Sequence, residues 1–148
     1  MKQFLSTCAA AITFAIPAYA AVPDGEMNGL LDNVRAACSE GGESDSCVAA
    51  LRTALGVIVE ARTVGNEVAT DTQLAQLVAE VGAISNQGAM GTEMSAAVGA
   101  VILNEVSPQM QDRNAAQAMD TVALAIVSGE PSSVPTQELA QAVAVSAN

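Results

Sequence analysis

From Met27 to the end of the chain, apolar side chains return every three or four positions, and each run is bounded by a turn or a helix-opening signal. Met27, Leu30, Leu31, Val34, Ala37 and Cys38 fall on one face of a first helix, for which Asp24 is the expected cap. The acidic, glycine-bearing turn 40–45 ends it, and a second helix carries Val48, Leu51, Ala54, Leu55 and Ile58 on one stripe. Thr70 and Gln73 stand at capping-box spacing ahead of Leu74, Leu77, Val78, Val81 and Ile84, which predicts a third helix that Asn86, Gln87 and Gly88 break. Thr92 is the expected cap of a fourth, with Met94, Val98, Val101, Ile102 and Val106 inside. Ser107 and Pro108 read as the opening of a fifth, since Pro is tolerated where its missing amide would be unpaired anyway. Its inner positions are Ala115, Ala118, Met119, Val122 and Ile126, and Gly129, Glu130 and Pro131 stop it. After Pro135, a last helix holds Leu139, Ala142, Val143 and Ala147.

The pattern predicts an all-α chain, a small helical bundle of about six helices arranged as three helical hairpins. The hairpins superimpose at an offset of 44 residues: Val34 aligns with Val78 and Val122, and Val57 with Val101 and Val145. That offset suits a helical-pair repeat, although a chain rich in Ala and Val also matches itself through plain helical periodicity. Val122–Val127 and Ala142–Val145 would pass as short strands, but Ala is a poor strand former and the caps agree with helices. Gly56, Ala96, Gly99 and Ala100 permit close approach between helix backbones.

The first twenty residues, MKQFLSTCAAAITFAIPAYA, break this pattern. A basic start at Lys2, an apolar run from Phe4 to Ile16 and the triplet Ala18, Tyr19, Ala20 form an export signal with cleavage expected between Ala20 and Ala21. The run is shorter than the roughly 18 residues a spanning helix needs, so no membrane span is expected after cleavage. Thr7 is bulky for a position preceding an acylated cysteine, and the apolar run continues beyond Cys8, so a lipoprotein reading fits poorly. Removing twenty of 148 residues leaves 128, enough for a single helical domain over 21–148.

Cleavage changes the alphabet of what remains. Phe4, Phe14, Tyr19 and Lys2 all lie in the leader, and the chain contains no His, so the mature protein would lack aromatics, Lys and His. The formal net charge of −11 becomes −12 once Lys2 is subtracted. Such a surface repels phosphate backbones and anionic lipid heads, which disfavours nucleic acid and electrostatic membrane docking. Cys38 and Cys47 form an even pair in an exported chain, which predicts a disulfide clamping the first hairpin at its tip. A redox-active pair would cluster as Cys-x-x-Cys, a much tighter spacing.

Little catalytic equipment is left. Without His there is no Ser-His-Asp or Cys-His arrangement, and without Lys no Schiff base. Carboxylate pairs can run glycoside chemistry, but Glu40, Glu43 and Asp45 read as a solvated turn or, through oxygen ligands, a calcium site without EF-hand spacing. Met90 and Met94 stand one helical turn apart, with Met110 and Met119 further on, and read as core filling or as a soft copper(I) site. Arg52 and Arg62 are too far apart around a helix to clamp one anion, and either would pair with Glu60 as a surface salt bridge or with a ligand carboxylate. The expectation is a periplasmic or secreted, non-enzymatic helical interaction or structural module of the bacterial envelope, without cofactor, recognising a protein partner or its own copies. The alternative is an acidic protein binding calcium or copper.

Overall fold

A computed structural model of the chain describes residues 21–39, 41–63, 65–129 and 135–146, with side chains of the last helix as far as Ala144. The leader with Lys2, Cys8 and Ala20, and also Glu40, Glu130, Pro131 and Ala147, lie outside the described residues. Among the described residues there are six α-helices and no strand: α1 (Asp24–Cys38), α2 (Ser44–Glu60), α3 (Glu67–Asn86), α4 (Thr92–Val101), α5 (Arg113–Ser128) and α6 (Thr136–Ser146). A π-helical turn, Ile102–Val106, and a 3-10 turn, Ser107–Gln109, extend α4.

The axis of the bundle is α3. Fourteen of its twenty residues are buried, and they run around the whole circumference. It is packed by α1, α2, α5 and α6, while α4 lies against α2 and α5. The bundle therefore differs from three equivalent hairpins in its middle unit: α1 folds back on α2 and α5 on α6, but α4 turns away from α3 to reach α5. Val34, Val78 and Val122 are all fully buried, yet only the helix carrying Val78 is enclosed on every side.

The capping box expected at Thr70 and Gln73 is an interior stretch instead. The helix starts one turn earlier, after Asn66, whose Oδ1 accepts from the amide of Thr63 at 2.7 Å. Thr70, Asp71, Thr72 and Gln73 are buried side by side because each has an internal partner. The hydroxyls of Thr70 and Thr72 donate to the carbonyls of Asn66 and Val68, at 3.1 and 2.9 Å. Gln73 Oε1 accepts from the Val22 amide at 2.9 Å, and its Nε2 donates to the Val22 carbonyl at 2.7 Å. Satisfied in this way, polar side chains can stand where the core would otherwise demand hydrocarbon.

Other boundaries also shift. Pro23 and Gly91 occupy the cap positions of α1 and α4, so Asp24 and Thr92 are the first helical residues. Ser107 and Pro108 belong to the 3-10 turn, and α5 opens at Arg113, where Asp112 Oδ1 accepts from the Ala115 amide at 2.8 Å. Met110 is extended between the two, which ends one helix and frees the chain to start the next. At the other end of α5, Gly129 stops the helix as expected, in the left-handed conformation at φ 70°.

Cys38 and Cys47 place their sulfurs 1.99 Å apart and their Cα atoms 4.6 Å apart, joining the last residue of α1 to the first turn of α2. Both are fully buried. Close approach is most evident at Gly99. A Cβ there would run into Val127 Cγ2 and stand 3.0 Å from the Ala123 carbonyl oxygen, so α4 and α5 meet backbone to backbone. Leu51, Ile58, Leu74, Leu77, Ile102, Met119, Ile126 and Leu139 are the bulkiest fully buried apolar side chains of a core without a described aromatic.

Candidate functional site

An open concavity lies at the disulfide end of the molecule. Gly42, Glu43, Ser44, Asp45 and Glu93 line a cleft of about 350 Å³. Two helices begin there: α2 at Ser44, with Glu43 in the cap position, and α4 at Thr92, with Glu93 in its first turn. Carboxylates are stabilised near helix N-termini by roughly 0.3–1 kcal/mol each, because the unpaired amides carry partial positive charge. Two of the three acidic turn residues of the sequence, Glu43 and Asp45, are thus joined by Glu93, which lies 48 positions beyond Asp45 in the chain. Among the described residues, no group of three or more His, Cys, Asp or Glu side chains is placed to hold a metal ion.

The methionines are distributed through the core. Met94, Met110 and Met119 are buried, and Met90 packs against the same apolar cluster. Their thioethers fill space between helices, which suits their flexible, unbranched side chains.

Neither arginine pairs with Glu60. Arg52 spans from α2 to the π-helical turn and holds Glu105 through both carboxylate oxygens, at 3.0, 3.1 and 2.8 Å. These hydrogen bonds hold the Glu105 carboxyl below its ordinary range and raise the Arg52 guanidinium. Arg35 of α1 similarly bonds Glu80 of α3 and Asp32, both at 2.7 Å. Arg62, just past α2, donates from Nη2 to the carbonyl of Gln109, and its buried Nε has no hydrogen-bond partner.

A second polar group, missed in the sequence, surrounds Asp71. Asp71 is 3 % exposed, and its carboxylate accepts from the amides of Gln111 (3.0 and 3.1 Å) and Asp112 (2.9 Å), tying α3 to the start of α5. Burial raises its carboxyl above the ordinary aspartate range, against the opposing effect of those two amides and of the Arg62 charge. Only the unpunctuated run Glu67-Val-Ala-Thr-Asp-Thr-Gln signals it, and that run looks like an exposed helix start until the partners 40 residues away are known.

The raised Asp71 carboxyl has a definite sign. The folded state binds the proton more tightly, so the contribution is fully present below the unfolded pKa and is lost as pH rises through the folded one. The stability of the native chain relative to Asp71→Asn is therefore expected to decline as pH rises from the ordinary aspartate range towards neutrality. Urea unfolding midpoints of the two proteins across that range measure it. A difference independent of pH would show that the carboxyl is not shifted.

No helix among the described residues is long and apolar enough to cross a membrane. In comparisons with protein-family models, with curated proteins and with solved structures, the chain matches none.

Proposed function

We propose that this protein is an exported, non-enzymatic interaction module of the bacterial envelope that associates, with its own copies or with a protein partner, through the outer face of α4 and α5. The reading is carried by one surface. Leu124 and Val127, one turn apart on α5, are 60 % and 40 % exposed. Val127 lies over Gly99 of α4, and Ala96 and Ala100 are exposed on either side of that glycine. No charged residue occurs between Glu93 and Glu105 or between Asp120 and Glu130. On a chain of net charge −11, this neutral seam of small and branched side chains is where two surfaces approach without carboxylate repulsion.

The test is sedimentation velocity of the mature chain and of Leu124→Glu, with crosslinked material recovered from the native envelope. Association that Leu124→Glu reduces at least about ten-fold supports the reading, the size expected for placing a charge at an apolar interface centre. A monomer with no recovered partner sinks it.

The alternative is a calcium-binding role at the cleft that Glu43, Asp45 and Glu93 line, although their carboxylates are not placed as a ready ligand group and would have to converge on the ion. A rise in melting temperature with micromolar calcium that Glu43→Gln with Asp45→Asn abolishes would put this reading first. For copper, the buried methionines would have to leave the core to serve as ligands.

A further inference from the structure

The residues that follow the expected cleavage point are built into the core. Val22 is 1 % exposed and belongs to the apolar cluster, and Ala21 is half-buried. Gln73, fully buried in the first half of α3, takes both main-chain polar groups of Val22: its Oε1 accepts the amide at 2.9 Å and its Nε2 donates to the carbonyl at 2.7 Å. Immediately beyond, Pro23 supplies the carbonyl that accepts from the Met27 amide at 2.9 Å, so the segment is continuous with α1. The second residue after Ala20 is thus held by its side chain and by both of its backbone hydrogen-bonding groups.

A peptidase reads its substrate as an extended strand, through main-chain hydrogen bonds on both sides of the scissile bond. Bonds made to Gln73 are not available to an enzyme, and a buried Val22 does not enter a cleft. We infer that Gln73 makes the leader junction resistant to processing once the bundle has folded, so the leader must be removed while the chain is still unfolded. The inference rests on the export reading of residues 1–20. The reaction is a hydrolysis by a signal peptidase that cuts after small residues. Water adds across the Ala20–Ala21 amide, leaving a carboxylate on Ala20 and an ammonium on Ala21. Gln73 is a positioning residue here, because it acts by withholding Val22 and touches no reacting atom.

The experiment uses the 148-residue precursor, folded and oxidised in mild detergent or unfolded by reduction and urea dilution, offered to signal peptidase and followed by mass spectrometry. Cleavage after Ala20 is expected at least about ten-fold faster in the unfolded precursor, because attack on the folded one requires local opening. Gln73→Ala, with its helix content checked by circular dichroism, is expected to bring the folded precursor towards the unfolded rate. Equal rates for native folded and unfolded precursors overturn the latch while leaving the export reading intact. No cleavage even of the unfolded precursor overturns the export reading, and the latch falls with it. Should Gln73→Ala fail to fold, hydrogen exchange in the mature chain decides: a Val22 amide protected like those of α3 supports the latch, and one exchanging as fast as an unstructured amide overturns it.

Discussion

Replacing Leu74 by Ala is expected to lower the free energy of unfolding by about 2–5 kcal/mol, the range for truncating a large aliphatic side chain in a core that does not collapse around the cavity. Leu74 is fully buried on the helix that four others enclose, so no neighbour can close the gap without leaving its own contacts. Leu77→Ala should behave alike, since Leu77 is also fully buried. Leu31→Ala on α1 provides the contrast: Leu31 is half-buried on an outer helix and should cost markedly less. Chemical denaturation of the three variants measures the differences. If Leu31→Ala proved as costly as Leu74→Ala, α3 could not be the axis of the bundle.

Removing the disulfide is the second large effect expected. The Cys38–Cys47 bond closes a loop with a sequence separation of 9, for which chain entropy gives on the order of 2–3 kcal/mol of stabilisation. Cys38→Ala with Cys47→Ala should therefore lower the melting temperature by on the order of 10 °C for a domain of this size. Both sulfurs are fully buried, so mild reductant should act slowly on the folded protein and quickly once it is unfolded. Calorimetry of the double variant gives the first quantity, and thiol trapping with and without urea the second. An unchanged melting temperature would mean that Ser39 and Gly42 are already fixed relative to each other by other bonds, such as that from the Gly42 amide to the Ser39 carbonyl at 2.9 Å.

The helices were legible because their apolar stripes are local. Met27, Val34 and Cys38 on α1, and Ala115, Met119, Val122 and Ile126 on α5, are buried where the spacing puts them. On α3, Leu74, Leu77, Val78, Val81 and Ile84 were legible in the same way, but the polar part of its interior, Thr70, Asp71, Thr72 and Gln73, was not. Thr70 and Thr72 go inside by donating to carbonyls four residues back, whereas Asp71 and Gln73 need donors and acceptors at Val22, Gln111 and Asp112, between 40 and 51 positions away, which no window along the chain contains. The same distance hid the junction of Glu93 with Glu43 and Asp45. The turn between α4 and α5 misled for a different reason: a Ser-Pro pair is compatible with a helix start and with a 3-10 turn, and only the extended Met110 decides between them.

The enclosure of α3 also sets an order of events. Its wrapping needs α1 and α2 from one side of the sequence and α5 and α6 from the other, so the middle of the chain cannot be completed by local steps. The hairpin of α1 and α2 can close early, because its contacts and its disulfide are near in sequence. Until Leu139 and Val143 of α6 arrive, part of α3 stays uncovered. A chain delivered from its N-terminus would thus remain open to chaperones until almost its last helix has emerged.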